Sequence, residues 1–490
     1  MSMWRRPRRL PLSVITMLVT ERVFTAVLLL FTAMAATTAA FTGWQHGSSL
    51  FGHQNDYNHV CYRTVPNPYV YFGTKTTYGA VAGNDLQTPQ DCRPMQVWMV
   101  SRHGTRYPSR KKIEELKKLN ELKTMITADS TMCPEDIVAI KNWNTNLTKE
   151  DHYTLQRQGV EELKSLAIRL KRQFPQIFNN PYTESNFKFL TSHKQRAKDS
   201  ATVFYQTVFH ENPENELPVV KTSDDRLYLY KCKQVEDDDD DTKGKGEVEK
   251  FEDGPLVRSV VSRVSMAMGL KQNLSYENVS LMLESCKYEK AWYIQSRPAW
   301  CAVFTQNDFE ILEYVDDLKY YYDNGYGNSI GERMGCPIMK DLIDNFKNLA
   351  RGNQGPLGIF YFGHSPNVLS VVARLGIGKD DTPLLSTNYE QMKNRKWRTS
   401  FIDPFASNVI AVFYKCRDGN KAMILLNEHG IPMGKDECRI CPWEPIEAKF
   451  NAITSDNQTC NLNMCKSSGS LSSINLVIVI FTYIIHSLYI

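Results

Sequence analysis

At 490 residues the chain is long enough to bury a large core, and length alone allows two or three domains or one large one. Hydrophobic content of 42% and charged content of 23% are ordinary for a globular protein. The net charge of +4 is modest, and no long Lys/Arg block beyond the N-terminal one argues for a nucleic-acid binder.

The N-terminus reads as an address. Arg5, Arg6, Arg8 and Arg9 form a basic region, an apolar run follows from Val23 to Ala36, and small residues continue to Ala40. This is the order of a secretory signal peptide over residues 1–40, cleaved near Ala35 to Ala40. An uncleaved anchor is the rival, but Glu21 and Arg22 interrupt the apolar stretch and favour cleavage. Residues 41–90 are rich in Gly, Tyr, Asn and Thr with little periodicity, which predicts loops packed on the main domain. Gln96 to Val100 predicts a buried strand running into a polar loop. Ile113, Leu116, Leu119 and Leu122 then fall at helical spacing, opposite many lysines.

Phe187 to Leu190 predicts a second strand, and Ala197, Ala201, Phe204 and Val208 the helix after it. The acidic run Glu236 to Asp241 is expected to be a solvated loop. Ile359 to Phe362 predicts a third strand and Val368 to Leu375 its helix, while Val409 to Tyr414 and Ala422 to Leu426 predict a hairpin around Asp418-Gly419-Asn420. Strands alternating with helices near both ends predict an α/β fold. Its core segments fall in 41–120 and 351–450, and the span 121–350 holds the core segment around 187–209 plus a mostly helical cap insertion.

After a spacer over residues 451–468, the chain turns apolar from Leu476 to Ile490, with Ser467-Ser468-Gly469-Ser470 just upstream. That order matches a glycosylphosphatidylinositol attachment signal, so 469–490 is expected to be removed; a tail-anchored helix is the rival. The 12 cysteines lie between Cys61 and Cys465, and sequons occur at Asn146, Asn273, Asn278 and Asn457. Both fit a secretory route with disulfides. The expected location is the cell surface through a lipid anchor, with the ER lumen or secretion as alternatives.

The sharpest motif is Val100-Ser101-Arg102-His103-Gly104-Thr105-Arg106-Tyr107-Pro108, placed where strand meets loop. Positive charge on both sides disfavours the imidazolium, so His103 is expected to stay neutral and nucleophilic. Two guanidinium forks match the oxygens of a phosphoryl group, and Gly104 permits close backbone approach. The parts together describe phosphoryl transfer to histidine, and water then hydrolyses the phosphohistidine.

This motif resembles the branched histidine phosphatase superfamily, in its acid-phosphatase and phytase branch. Phe189-Leu190-Thr191-Ser192 leading to Arg196 is similar to the segment that carries the family's third phosphate-binding arginine, and Tyr361-Phe362-Gly363-His364 resembles its second histidine segment. Further stretches resemble the multiple inositol polyphosphate phosphatases. They are Trp300-Cys301-Ala302-Val303-Phe304, Leu312-Glu313-Tyr314, Gly325-Tyr326-Gly327, Arg395-Lys396-Trp397-Arg398, Asp403-Pro404-Phe405-Ala406-Ser407-Asn408 and Leu425-Leu426-Asn427-Glu428. The resemblance runs from about Cys92 to about Glu428. It implies an open mixed-sheet core flanked by helices, an inositol polyphosphate such as phytate as substrate, and no metal or other cofactor.

One departure bears on mechanism. The family places a carboxylate one or two positions after the second histidine to protonate the leaving oxygen. Here the segment reads His364-Ser365-Pro366-Asn367. Another acid, with Asp403, Glu428 and Asp380 as candidates, could take the role; water or the substrate's own phosphates could donate; or the protein could be a slow enzyme that mainly binds phosphorylated ligands. A broad-specificity acid phosphatase is the alternative within enzymes. Lys111 and Lys112 are candidate contacts for extra substrate charge, and Arg395, Lys396 and Arg398 form a second basic group. Cys438-Arg439-Ile440-Cys441 with Cys460 and Cys465 only loosely matches a zinc ribbon, and the compartment favours disulfides.

Overall fold

The computed structural model describes Cys61, residues 68–209, 225–227, 239–433 and 438–455, and Cys460. Both terminal signals, the sequon at Asn457 and Glu236 to Asp238 of the acidic run lie outside these residues. The sheet contains β1 (Cys92–Arg102), β2 (Phe187–Thr191), β3 (Gly358–Gly363), β4 (Asn408–Cys416), β5 (Gly419–Leu426), β6 (His429–Gly430) and β7 (Ile440–Pro442). The order is β2-β3-β1-β4-β5-β6, with β7 also on β5. Strands β2, β3 and β1 run parallel, and the hairpin β4–β5 is antiparallel to β1 and to itself.

The longer helices are α1 (Arg110–Lys117), α2 (Pro134–Asn142), α3 (Arg157–Gln173), α4 (Gln195–Phe209), α5 (Asp239–Glu252), α6 (Pro255–Ala267), α7 (Tyr276–Trp292), α8 (Gln306–Asn324), α9 (Cys336–Ala350), α10 (Ser365–Leu375) and α11 (Trp443–Thr454). Between residues 121 and 350, β2 is the one strand among the described residues. The acidic run departs from the expected loop, because Asp239 opens α5.

Strand β1 shows why its sequence reads as an unbroken apolar run. Val97 and Met99 enter one core with Leu163, Leu166 and Leu170 of α3 and Phe204 of α4. Trp98 and Val100 enter the other with Val368, Leu369 and Val372 of α10. Both faces of a parallel sheet are covered, so neither alternate set is polar. The strand begins four residues before the predicted start. Pro94 lacks an amide donor, and the register against β4 shifts between Pro94 and Gln96. Beyond that irregularity, a Cys92–Cys416 disulfide ties the two strands together. Further disulfides join Cys61–Cys133, Cys286–Cys301, Cys336–Cys460 and Cys438–Cys441. Cys438, Cys441 and Cys460 are thus covalently paired and form no zinc ribbon. No helix among the described residues is long and apolar enough to cross a membrane.

The second basic group is not a surface patch for substrate. Arg395 is 7% exposed, and its guanidinium bonds to Asp317 at 2.6 Å and Glu313 at 3.0 Å on α8. Arg398 bonds to both oxygens of Glu313 at 3.0 Å. Asp317 also accepts from the amide and hydroxyl of Thr399, at 2.7 and 2.6 Å. This cluster fixes residues 395–403 against α8. Glu313 and Asp317 lie one helical turn apart, so removing the shared cation leaves two buried like charges. Arg395→Met, which conserves much of the volume, is expected to lower the unfolding free energy by about 3–5 kcal/mol. Urea denaturation at neutral pH measures this, and a loss near zero would show that the cluster does not stabilise the segment.

Candidate active site

Parallel strands β2, β3 and β1 end side by side, with Thr191 opposite Phe362 and Gly363 opposite Arg102. The residues that follow, Ser192, His364 and His103, therefore emerge at one sheet edge, where open α/β sheets bind ligands. The antiparallel β4 starts at the same edge, opposite Ser101, which brings in Asp403 to Ser407. His103 and His364 are 3% and 5% exposed, and their ring centroids lie 5.5 Å apart.

The contacts fix each tautomer. Nδ1 of His103 lies 2.9 Å from the Gly104 carbonyl, which can only accept, so Nδ1 carries the proton and Nε2 keeps its lone pair. Burial holds the His103 pKa well below the usual range, reinforced by Arg196, Arg102 and Arg106 and by His364. In His364, Nδ1 faces Nη2 of Arg196 at 3.4 Å and so accepts, while Nε2 lies 2.9 Å from Ser192 Oγ and donates. Its pKa is pushed down to about 2 by burial first, then by Arg196, Arg106, Arg102 and Lys194. Both rings are neutral at any physiological pH.

Three guanidiniums converge on this pair. Arg102 is buried; its Nη1 donates to the carbonyls of Thr74 (2.7 Å) and Asp403 (2.8 Å) and lies 3.6 Å from the Asp403 carboxylate. Nη1 of Arg106 donates to the Tyr107 carbonyl at 2.8 Å, and Trp292 at the end of α7 donates its indole N–H to the Arg106 carbonyl at 3.2 Å. The Nε–H groups of Arg102 and Arg106 are buried with no hydrogen-bond partner among the described residues. Buried donors are seldom left this way, and charged N–H donors beside two neutral histidines suit an anion. Arg106 and Arg196 each sit 5.1 Å from the ring centroid of Tyr153, a residue 41% exposed with left-handed backbone at φ 61°. One aromatic ring thus attracts two cations at the rim.

Beneath the loop lies Glu162 of α3, 4% exposed, whose oxygens accept from the amide and the hydroxyl of Thr105 at 2.9 Å each. The same helix presents Gly159 to the loop. A Cβ on Gly104 would come within 2.6 Å of the Gly159 carbonyl, and one on Gly159 within 2.3 Å of the Thr105 carbonyl. The close backbone approach that Gly104 permits is made here by the backbone of α3.

The predicted acids separate clearly. Asp403 is fully buried, accepts from Ser365 Oγ and, at 2.6 Å, from Ser407 Oγ, and burial raises its pKa more than Arg102 and the two serines lower it. Glu428 is held by both Nε and Nη2 of Arg169 and by the Tyr78 hydroxyl at 2.7 Å. Asp380 accepts from the amides of Lys396 and Trp397 at 2.7 and 3.0 Å. Lys111 and Lys112 sit on α1 and pair with Glu115 at 3.8 and 2.7 Å; Lys194, which the sequence did not single out, adds its charge at His364. Ser192, Tyr153 and Glu162 were likewise missed. Asn146 and Asn273 are exposed, and Asn278 is half-buried in the first turn of α7.

Residues 95–426 match the model of the histidine phosphatase superfamily, branch 2. The chain is 29% identical to the multiple inositol polyphosphate phosphatase 1 of Drosophila melanogaster, over 82% of this chain and 88% of that one. It is 28% identical to the human protein of the same name, over 81% and 90%. The fold is similar to that of the phytase from D. castellii (TM-score 0.66, 17% identity, 80% of this chain and 88% of that one). It is also similar to the multiple inositol polyphosphate phosphatase of Bifidobacterium longum in complex with inositol hexasulfate (TM-score 0.55, 14% identity, 78% and 98%).

Glu162 generates a pH prediction. Burial raises its pKa from 4.5 to about 7, against the pull of the Thr105 donors. Between those values the folded state binds more protons than the unfolded one, so stability falls as pH rises from about 4.5 to about 7 and is flat beyond. Glu162→Gln should flatten that slope in thermal unfolding; an unchanged slope assigns the dependence elsewhere.

Proposed function

The chain belongs to branch 2 of the histidine phosphatase superfamily, and we propose that it removes phosphates from inositol polyphosphates through a phosphohistidine on His103. The observation that carries this reading is the neutral His103, its Nδ1 held by the Gly104 carbonyl and its Nε2 lone pair left to attack beside three guanidiniums. A phosphoryl group among Arg102, Arg106 and Arg196 presents phosphorus to Nε2, and the cations stabilise the charge on its equatorial oxygens. Ser192 can donate as readily as accept. His364 can therefore shift its proton to Nδ1 and offer it to a phosphoryl oxygen once Arg196 turns towards that oxygen. Water then attacks the phosphohistidine and releases phosphate.

The choice of substrate rests on the fly and human relatives, whose similarity spans more than four fifths of the chain. A substrate with several phosphates also suits the positive rim of Arg106, Arg196 and Lys194. His103→Ala should lower phosphate release from phytate by more than roughly 1,000-fold. Rapid acid-free quenching of the wild type should trap phosphate on this side chain. Normal turnover by the alanine variant rules out the mechanism, and release from aryl phosphates but not from phytate favours a broad acid phosphatase.

The disulfides fit a secreted or lumenal protein. We infer further that a lipid anchor holds it at the cell surface, from the small-residue patch followed by the apolar tail. Phosphatidylinositol-specific phospholipase should then release it from intact cells; a protein that stays bound and retains residues 476–490 is anchored by its tail instead.

A further inference from the structure

We propose that Ser365 and Asp403 form a proton relay to the leaving oxygen, in which the Ser365 hydroxyl is the group that touches the substrate. The inference rests on the phosphohistidine reading of the site but not on the identity of the substrate.

An alkoxide leaving group needs a proton as its bond to phosphorus breaks. The two histidines cannot supply it, being neutral, with His103 taking the phosphoryl group. The carboxyls around the site differ in what they can reach. Glu428 is locked by Arg169 and Tyr78, Asp380 by the amides of Lys396 and Trp397, and both oxygens of Glu162 by Thr105. Asp403 alone among these has a hydrogen-bonded hydroxyl on the His364 loop, because Ser365 Oγ donates to its Oδ2. Ser365 follows the histidine directly and opens α10, so its side chain stands at the same strand end as both histidines. Asp403 is fully buried and cannot touch a substrate itself; the serine gives it an outlet.

The transfer balances. Nε2 of His103 forms the N–P bond and the P–O bond breaks. The leaving oxygen takes the proton of Ser365 Oγ, and Oγ takes the proton of Asp403 Oδ2. The Asp403 carboxylate that remains faces Nη1 of Arg102 at 3.6 Å and keeps the Ser407 hydroxyl on Oδ1 at 2.6 Å, which stabilises its charge. When Asp403 carries the proton, a state that burial moves it towards, Oδ2–H donates to Oγ and leaves the serine proton free for the substrate. In the second half-reaction water attacks phosphorus, the N–P bond breaks, and the water's proton returns through Ser365 to Asp403.

The experiment compares leaving groups, with no inositol phosphate involved. Single-turnover phosphoryl transfer is measured with glycerol 2-phosphate, whose alkoxide needs a proton, and with 4-nitrophenyl phosphate, whose phenolate does not. Ser365→Ala should slow the first by about 100-fold or more, the usual worth of general-acid help, and the second by less than about tenfold. Asp403→Asn should give the same pattern; because it also removes a partner of Arg102, it is read only if circular dichroism shows native folding. Ser365→Ala removes a single hydroxyl and no charge, which keeps the test decisive. Equal slowing of both esters makes the serine a structural residue and overturns the relay, as does no slowing of either. The selective pattern appearing in Glu162→Gln instead of Ser365→Ala assigns the proton to Glu162 and also overturns it. Failure of the wild type on phytate leaves this comparison standing, whereas absence of phosphate on His103 removes the chemistry beneath both readings.

Discussion

Everything at this site depends on three fixed positive charges crowded around two buried imidazoles. Neither burial nor charge alone would hold both rings neutral so firmly, since each acts on the protonated form and the two penalties add. With protons excluded, each ring's tautomer is set by a neighbour, the Gly104 carbonyl for His103 and Arg196 with Ser192 for His364. The same crowding makes the arginines costly to keep close together. The carbonyls of Thr74 and Asp403 offset part of that cost at Arg102, and the Tyr153 ring offsets part of it between Arg106 and Arg196.

The scaffold meets this demand from several directions at once. Three parallel strand ends supply the histidines and Ser192, the approach to β4 supplies Asp403, and α3 holds the loop from below through Glu162. The helical span reaches the centre through Trp292, whose indole fixes the Arg106 carbonyl and whose ring packs with Tyr107 and Tyr288. In the middle of α8, the Glu313–Asp317–Arg395 cluster orders the segment leading to Asp403. Packing of the helices is thereby coupled to the placement of catalytic groups rather than merely surrounding them.

What could be read in the sequence was local. The motif around His103 sits beside its own strand, and the segments at residues 187–209 and 359–375 each read as a strand followed by a helix, while Arg196 and His364 were placed with it through the family resemblance. Long-range pairing could not be read, because a carboxylate has the same letter whether it is free, paired or buried. Asp403, Glu428 and Asp380 were equivalent candidates until their partners, Ser365, Arg169 and the amides at Lys396 and Trp397, set them apart. Arg395 and Arg398 looked like a surface patch for the same reason. Glu162 and Tyr153 had no signal of their own, since what marks them is contact with a loop some fifty residues earlier in the chain.

The contact between Gly104 and Gly159 has a consequence for how this protein can change. The space a side chain would need at Gly104 is filled by the Gly159 backbone, and that at Gly159 by the backbone of Thr105 and Gly104, so no accommodating rotamer exists at either position. A methyl group at one site cannot be relieved by a smaller residue at the other, which is already as small as chemistry allows. Relief would require shifting the whole of α3, with the core it shares with β1, away from the nucleophile loop. In a mutational library the two positions should therefore behave as one immovable unit, and searches for altered specificity have room to move only along the rim, at residues such as Tyr153 and Lys194.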